Sequence, residues 1–288
     1  MRPSRPRPPA PSRRHRPDMV TRWIYGRHAV RAALDNPERH WRVLVALAGQ
    51  EVEAGALVAG ALAPQRGAAV PVRILDRAGI DAMLPEGAVH QGLALEVEPL
   101  PEPDFDGLLR HLAAGSGRQV VIALDQVGDP HNVGAVLRSA AAFGAGAVLV
   151  TLHGAPPAFG ALAKAGSGAL ERIPLVSVVN LARALDALKR AGFWVCGLDE
   201  RAESPLSALD LGDRVALVLG SEGGGMRRLV RTHCDHLARL PTLAAQPTLN
   251  VSSAAAVALY ELVRDRAAMQ PRTTRIDPAP PRQSGGGQ

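Results

Sequence analysis

The chain has 288 residues, 47% of them hydrophobic, which is enough for a real core and suits two domains better than one. Its net charge of +6 is uneven: residues 1–18 carry +5 and residues 271–288 carry +2, which leaves the body near −1. Two cysteines, Cys196 and Cys234, make neither a disulfide framework nor a metal site, and no apolar run approaches the ~20 residues of a membrane span, so a cytoplasmic protein without membrane or metal is expected.

Residues 1–21 form a basic arm. The segment is rich in arginine like an organellar presequence, but six prolines forbid the amphipathic helix that such a peptide uses, so disorder is expected. A basic arm is either a contact for phosphate backbones or a solubilising tail. Folding should begin at "RWIYGRHAVRAALDN", with a strand at Trp23–Tyr25, a turn at Gly26 and a helix of about ten residues. A buried strand follows at 43–49, then a helix from Glu51 to Arg66, a strand in "VPVRIL", a helix capped by Asp76 and an alternating strand at 92–98. Residues 22–98 thus read as a small α/β domain.

Three prolines and a Gly/Ser cluster mark 99–117 as a linker with a short helix inside. From 118 to 270 the pattern changes to the all-apolar runs "VVIALD", "AVLVTL", "FWVCGLD" and "VALVLG" alternating with helices, which implies a parallel sheet covered on both faces. A last helix runs through Val257–Arg266, and 271–288 is expected to be a disordered tail.

Open parallel sheets bind ligands beyond the carboxyl ends of their strands, and three such ends carry unusual residues. In "DQVGDPHN", Pro130 restricts Asp129 to extended backbone, and Asn132 stands where either a helix cap or a ligand contact would be. In "VLGSEGGGMRR", four glycines free the backbone around Glu222, as a ligand loop or a bare turn would require. The spacing fits neither G-x-x-x-x-G-K-[ST] nor G-x-G-x-x-G, which counts against a nicotinamide enzyme. In "TLNVSSAAAVALYEL", Asn250 can cap a helix whose small residues allow close approach, at a site or in a core. One residue stands out. The helix after Asn132 is apolar nearly all round and should be buried, yet it carries Arg138, which should be paired or should face a cleft or a ligand.

Together and in this order, "DPHNVGAVLRS", "LVLGSEGGGM" and "LNVSSAAAVALYE" resemble the three motifs of the SpoU/TrmH branch of the SPOUT RNA methyltransferases. "IYGRHAV" and "GAVHQGLAL" look like the substrate-binding domain of the 23S rRNA guanosine 2′-O-methyltransferases, and "AGSGALERIPL" is also similar to a family segment. The resemblance covers about 22–268. It implies a C-terminal SPOUT parallel sheet with a deep trefoil knot, preceded by a small α/β substrate-binding domain, a homodimer, S-adenosylmethionine as cofactor and RNA, above all 23S rRNA, as partner.

By that resemblance, Leu219, Gly220, Leu240, Leu249 and Asn250 would contact the cofactor. Asn132, Arg138, Glu222, Asn250 and Ser252 would form the catalytic set. The family assigns the matching arginine to the 2′-hydroxyl. A guanidinium with a pKa above ~12 is a poor base, so gripping the adjoining phosphate is the less demanding role; the other reading is a buried salt bridge, with Glu222 as its partner. "PTLAAQPTLN" departs from the family, lacking the glycine often found after the proline matching Pro241. The alternatives are a tRNA 2′-O-methyltransferase of the same fold and a non-catalytic RNA-binding or ribosome assembly factor. Intact motifs count against the second, and the α/β first domain counts against the first.

Overall fold

The structure, a computed structural model, describes residues 23–61, 70–100, 104–152, 159–243 and 248–267. The basic arm, the tail at 271–288 and the end of the helix expected to reach Arg66 lie outside the described residues.

A four-stranded sheet comes first. It is built from β1 (Trp23–Tyr25), β2 (Trp41–Leu47), β3 (Val72–Leu75) and β4 (Leu93–Val97), in the order β1-β4-β2-β3. β4 runs antiparallel to both β1 and β2, and only β3 is parallel to β2. Alternation sends Ile24, Leu44, Ala46, Leu93 and Leu95 to one face. There they meet α1 (Arg27–Asp35) and α2 (Glu51–Ala59) through Val30, Leu34 and Ala54. The other face carries Trp23, Val45 and Ala94 against Ile80 of α3 (Arg77–Asp81), whose cap is Asp76, accepting from the Gly79 N–H at 2.8 Å. α2 stops at Ala59, short of the expected span, because Gly60 ends it, its N–H bonding back to the Ala56 carbonyl.

The second sheet has six strands: β5 (Gln119–Asp125), β6 (Ala147–Thr151), β7 (Leu175–Val178), β8 (Trp194–Leu198), β9 (Arg214–Gly220) and β10 (His236–Ala238). All pair in parallel, in the order β10-β8-β9-β5-β6-β7. Both faces are covered, as the continuous apolar runs require. Ile122, Leu124, Val148, Leu217 and Leu219 pack on α5 (Pro130–Phe143), α6 (Phe159–Gly166) and α9 (Val251–Ala267). Val121, Ala123, Leu149, Ala216 and Val218 pack on α4 (Phe105–Ala114), α7 (Leu181–Arg190) and α8 (Arg228–Thr232). The helix expected within a linker is therefore part of this core, through buried Leu108 and Leu112. β7 and β10 escaped the sequence reading because they are short, Ser177 interrupts the first and the second is three residues opening on His236.

The two sheets are welded rather than tethered. Ala163 of α6 belongs to the first domain's core, and a Cβ on Gly160 would lie 2.8 Å from the Tyr25 ring. The strongest tie is ionic. Arg39, wholly buried, meets Glu171 at 2.7 Å (Nη2–Oε1) and 3.1 Å (Nε–Oε2) and donates to the Glu98 carbonyl at 2.8 Å. Asn36 Nδ2 donates to the same carboxylate at 2.7 Å, which satisfies it further. Removing one partner of such a pair strands the other charge away from water. Glu171→Ala should therefore lower unfolding free energy by about 3–5 kcal/mol in a urea titration, whereas an effect below about 0.5 kcal/mol would deny the pair this role.

Candidate active site

The usual dinucleotide-binding sheet runs 3-2-1-4-5-6. Counted within the second domain, this one runs 3-2-1-5-4-6, because β9 and not β8 lies beside β5. The chain leaves β5 toward β6 and β7 and returns on the other side with β9, so the switch point lies between β5 and β9. A ligand crevice is expected outside the carboxyl ends of those two strands.

There the three loops meet. α5 begins at Pro130 with Asp129 as its cap, in extended backbone and accepting from the His131 N–H at 3.0 Å. The capping place is thus taken, and the Asn132 side chain turns outward, donating from Nδ2 to Glu222 Oε1 at 3.1 Å. Asn250 Nδ2 donates to Asn132 Oδ1 at 3.0 Å and to Glu222 Oε1. Asn250 Oδ1 caps α9 meanwhile, accepting from the Ser252 N–H at 2.9 Å and the Ser252 hydroxyl at 2.6 Å. Asn132, Glu222, Asn250 and Ser252 thus form one polar network, although Asn132 lies 90 residues before Glu222 and 118 before Asn250.

The glycine loop closes tightly on itself. Ser221 and Gly225 exchange two backbone hydrogen bonds of 3.1 and 2.9 Å. A Cβ on Gly220 would sit 2.0 Å from the Gly225 carbonyl carbon, so no side chain fits there, and Gly223 and Gly225 hold φ of +77° and +63°. Beside this turn opens a cleft of about 580 Å³, walled by Leu219, Gly220, Leu240, Leu249 and Asn250 among others.

Arg138 is elsewhere. It is exposed, makes no hydrogen bond or ion pair with any described residue, and lines a second cavity, so the buried salt bridge with Glu222 does not form. The helix itself is buried through Val133, Val136, Leu137 and Ala140, but the stripe at His131, Ala135, Arg138 and Ala142 is open or half-open to solvent. Six residues separate Asn132 from Arg138, about 120° round the helix, so the two side chains leave α5 in different directions, one to Glu222 and the other to the second cavity.

Comparison with known proteins places both domains in one family. The model of the SpoU rRNA methylase family matches residues 119–260, and that of the RNA 2′-O ribose methyltransferase substrate-binding domain matches 23–103. The 23S rRNA (guanosine-2′-O-)-methyltransferase RlmB of Pseudomonas aeruginosa is 40% identical over 254 residues, covering 87% of this chain and 100% of that one. The chain belongs to the SpoU rRNA methylase family. RlmB of Xylella fastidiosa is also 40% identical, over 85% of this chain and 96% of that one. The SpoU fold is shared with AviRb from Streptomyces viridochromogenes, solved in complex with AdoMet, at a TM-score of 0.69 and 21% identity over 85% of this chain and 90% of that one. It is shared too with an AdoMet-bound rRNA methyltransferase from Sinorhizobium meliloti, at a TM-score of 0.66 and 22% identity over 85% of this chain and 88% of that one.

In this SpoU protein two parts of the site were not legible in the sequence. Asp125 ends β5 fully buried, and its carboxylate accepts from the Arg227 backbone N–H at 2.7 Å and from Arg227 Nε at 2.8 Å, pinning the far end of the glycine loop. Asp199 and Glu200, just past β8, reach the cleft as well, with Arg231 paired to Asp199. The available signal was their place at the carboxyl ends of apolar strands. Cys196 and Cys234 are free, and burial pushes both thiols up to about 12, so neither is a nucleophile at neutral pH. Asp125→Asn would set an amide NH₂ against the Arg227 N–H or side chain. It should cost about 1–3 kcal/mol in stability and speed amide exchange over 221–228; unchanged exchange there would show that Asp125 does not hold the loop.

Proposed function

We propose that this protein transfers a methyl group from S-adenosylmethionine to the ribose 2′-hydroxyl of a guanosine in 23S rRNA, acting in the cytoplasm as a homodimer. The observation that carries this reading is the meeting of Asn132, Glu222 and Asn250 at the rim of the cleft, in a chain 40% identical along nearly its whole length to proteins named for that reaction. A volume of about 580 Å³ lies within the range of small-molecule sites. Leucines at 219, 240 and 249 offer the cofactor apolar walls, and Gly220 and Asn250 offer close backbone and amide contacts. When bound, S-adenosylmethionine supplies a methyl group already activated by a sulfonium.

The protein's work is then alignment, exclusion of water and care of one proton. Asn132 and Asn250 hold the Glu222 carboxylate at the rim, where it can orient the ribose hydroxyls or receive the proton; Ser252 in turn fixes the Asn250 amide. The C-terminal chain threads as a trefoil knot, in keeping with the backbone contact at Gly220. Arg138 grips the phosphate beside the target ribose, and it does so at the cleft of the second copy. Supporting this are its exposed guanidinium on the open stripe of α5, without a partner among the described residues, and exposed Val257 and Tyr260 on the neighbouring α9, an apolar face suited to a two-fold contact.

The test uses tritiated S-adenosylmethionine, 23S rRNA from cells lacking this gene, and bulk tRNA. Label in a single alkali-resistant dinucleotide of 23S rRNA is expected. Arg138→Lys keeps the charge and loses the two-pronged grip, so turnover should fall about a hundredfold with cofactor affinity unchanged. Label in tRNA would overturn the target but keep the chemistry. Cofactor binding without labelling of either RNA would favour the assembly-factor reading.

A further inference from the structure

Three motifs that the cleft does not use converge at the seam between the two sheets. Lys164 at the end of α6 donates from Nζ to Gln91 Oε1 at 3.0 Å, and the same oxygen accepts from the Arg27 backbone N–H at 3.2 Å. Gly168 lies so close to α1 that a Cβ there would sit 2.4 Å from the Ala32 Cβ. Gln91 and Ser167 both hold positive φ, +55° and +48°, a conformation kept in a side-chain-bearing residue only where the surroundings over-determine it.

Beside this seam opens a surface groove of about 330 Å³. His28, Arg31 and Asp35 of α1 line one wall, and Arg138 of α5 lines the other with Ser167 and Arg172. Its charge is one-sided, with three arginines against one carboxylate. That carboxylate is already used, because Asp35 accepts from Arg31 Nε at 2.9 Å, and Arg31 also donates to the Gly60 carbonyl at 3.0 Å. The side chains of Arg138, Arg172 and His28 are exposed and make no hydrogen bond or ion pair with any described residue. Two unpaired guanidinium forks and an imidazole, brought from two domains onto one concave surface, suit a phosphate group and leave its charge unanswered by protein.

We infer that this cavity is a phosphate-binding subsite for the RNA strand flanking the target nucleotide, with Arg172 and His28 as its positioning residues beyond Arg138. The inference rests on the RNA methyltransferase reading and deepens it. The first domain thereby takes part in substrate binding, since α1 supplies one wall of the groove along which the strand reaches the ribose. Arg172 and His28 bind and orient; neither touches the reacting atoms.

The experiment measures retention of a 23S rRNA transcript by the full-length protein across about 50–200 mM salt. Arg172→Gln should reduce the slope of log affinity against log salt by about 0.7–0.9, the loss of one phosphate contact. At about 0.1 M salt the transcript's Kd and KM should rise about tenfold, with kcat and S-adenosylmethionine affinity unchanged. Arg172→Lys should restore the slope, His28→Gln should weaken binding without changing cofactor affinity, and Arg190→Gln, at the far end of α7, should do nothing. Wild-type slope and Kd in Arg172→Gln would overturn the subsite and leave the proposed function standing. A lowered slope in a protein that methylates no RNA would keep the subsite and sink the proposed function. Inorganic phosphate binding that Arg172→Gln abolishes, with RNA affinity untouched, would make the cavity a free-anion site and overturn the assignment to RNA.

Discussion

One carboxylate organises the site. Glu222 stands at the end of β9 and accepts two amide N–H groups, from Asn132 on α5 and Asn250 before α9. Amides are suited to this because each has a donor for the carboxylate and an oxygen left over. Asn132 uses its oxygen to accept from Asn250, and Asn250 uses its own to cap α9 through Ser252. The site's network is therefore also the start of a structural helix. The glycine loop cannot drift without breaking the bonds that Glu222 accepts from Asn132 and Asn250.

That arrangement depends on the sheet order beneath it. Because β9 adjoins β5, the loops after those strands emerge side by side, and Asp125 at the end of β5 can hold Arg227 at the far end of the glycine loop. In the usual order, β8 would lie next to β5 and Glu222 one strand further off. The first domain is fixed to this platform by the buried Arg39–Glu171 pair and by the packing of α6 against β1. With the inferred subsite, an RNA strand gripped on the first domain would thereby be held at a set distance from the second.

Much of the sheet architecture could be read directly, since four of the six strands of the second domain are uninterrupted apolar runs. β7 and β10 could not, being three or four residues long with polar residues inside. The cleft residues were legible through the order of the three motifs, which is a statement about resemblance; the local pattern alone left Asn132 as either a helix cap or a ligand contact, and Asp129 in fact fills the cap. Asp125 was hidden because a single acid at the end of a strand carries no pattern. Arg138 was legible in part: it faces a cavity, one of the places expected for it, but from an exposed stripe of the helix and not a buried one. An apolar helix predicts burial, but burial is decided by neighbours, and the described elements leave the stripe through Ala135, Arg138 and Ala142 open or half-open.

That half-open stripe is where the proposed homodimer would bear on the site. With Asn132 and Arg138 leaving α5 in different directions, the proposed homodimer would complete the cleft of one protomer with Arg138 of the other. Co-expression of Arg138→Ala and Glu222→Ala chains carrying different tags, followed by isolation of the mixed dimer, tests this most directly. If the arginine acts across the interface, each mixed dimer keeps one intact site, so about half of wild-type methylation per dimer should return although each variant alone is inactive. No activity in the mixed dimer would contradict this arrangement and put Arg138 and Glu222 to work within a single chain.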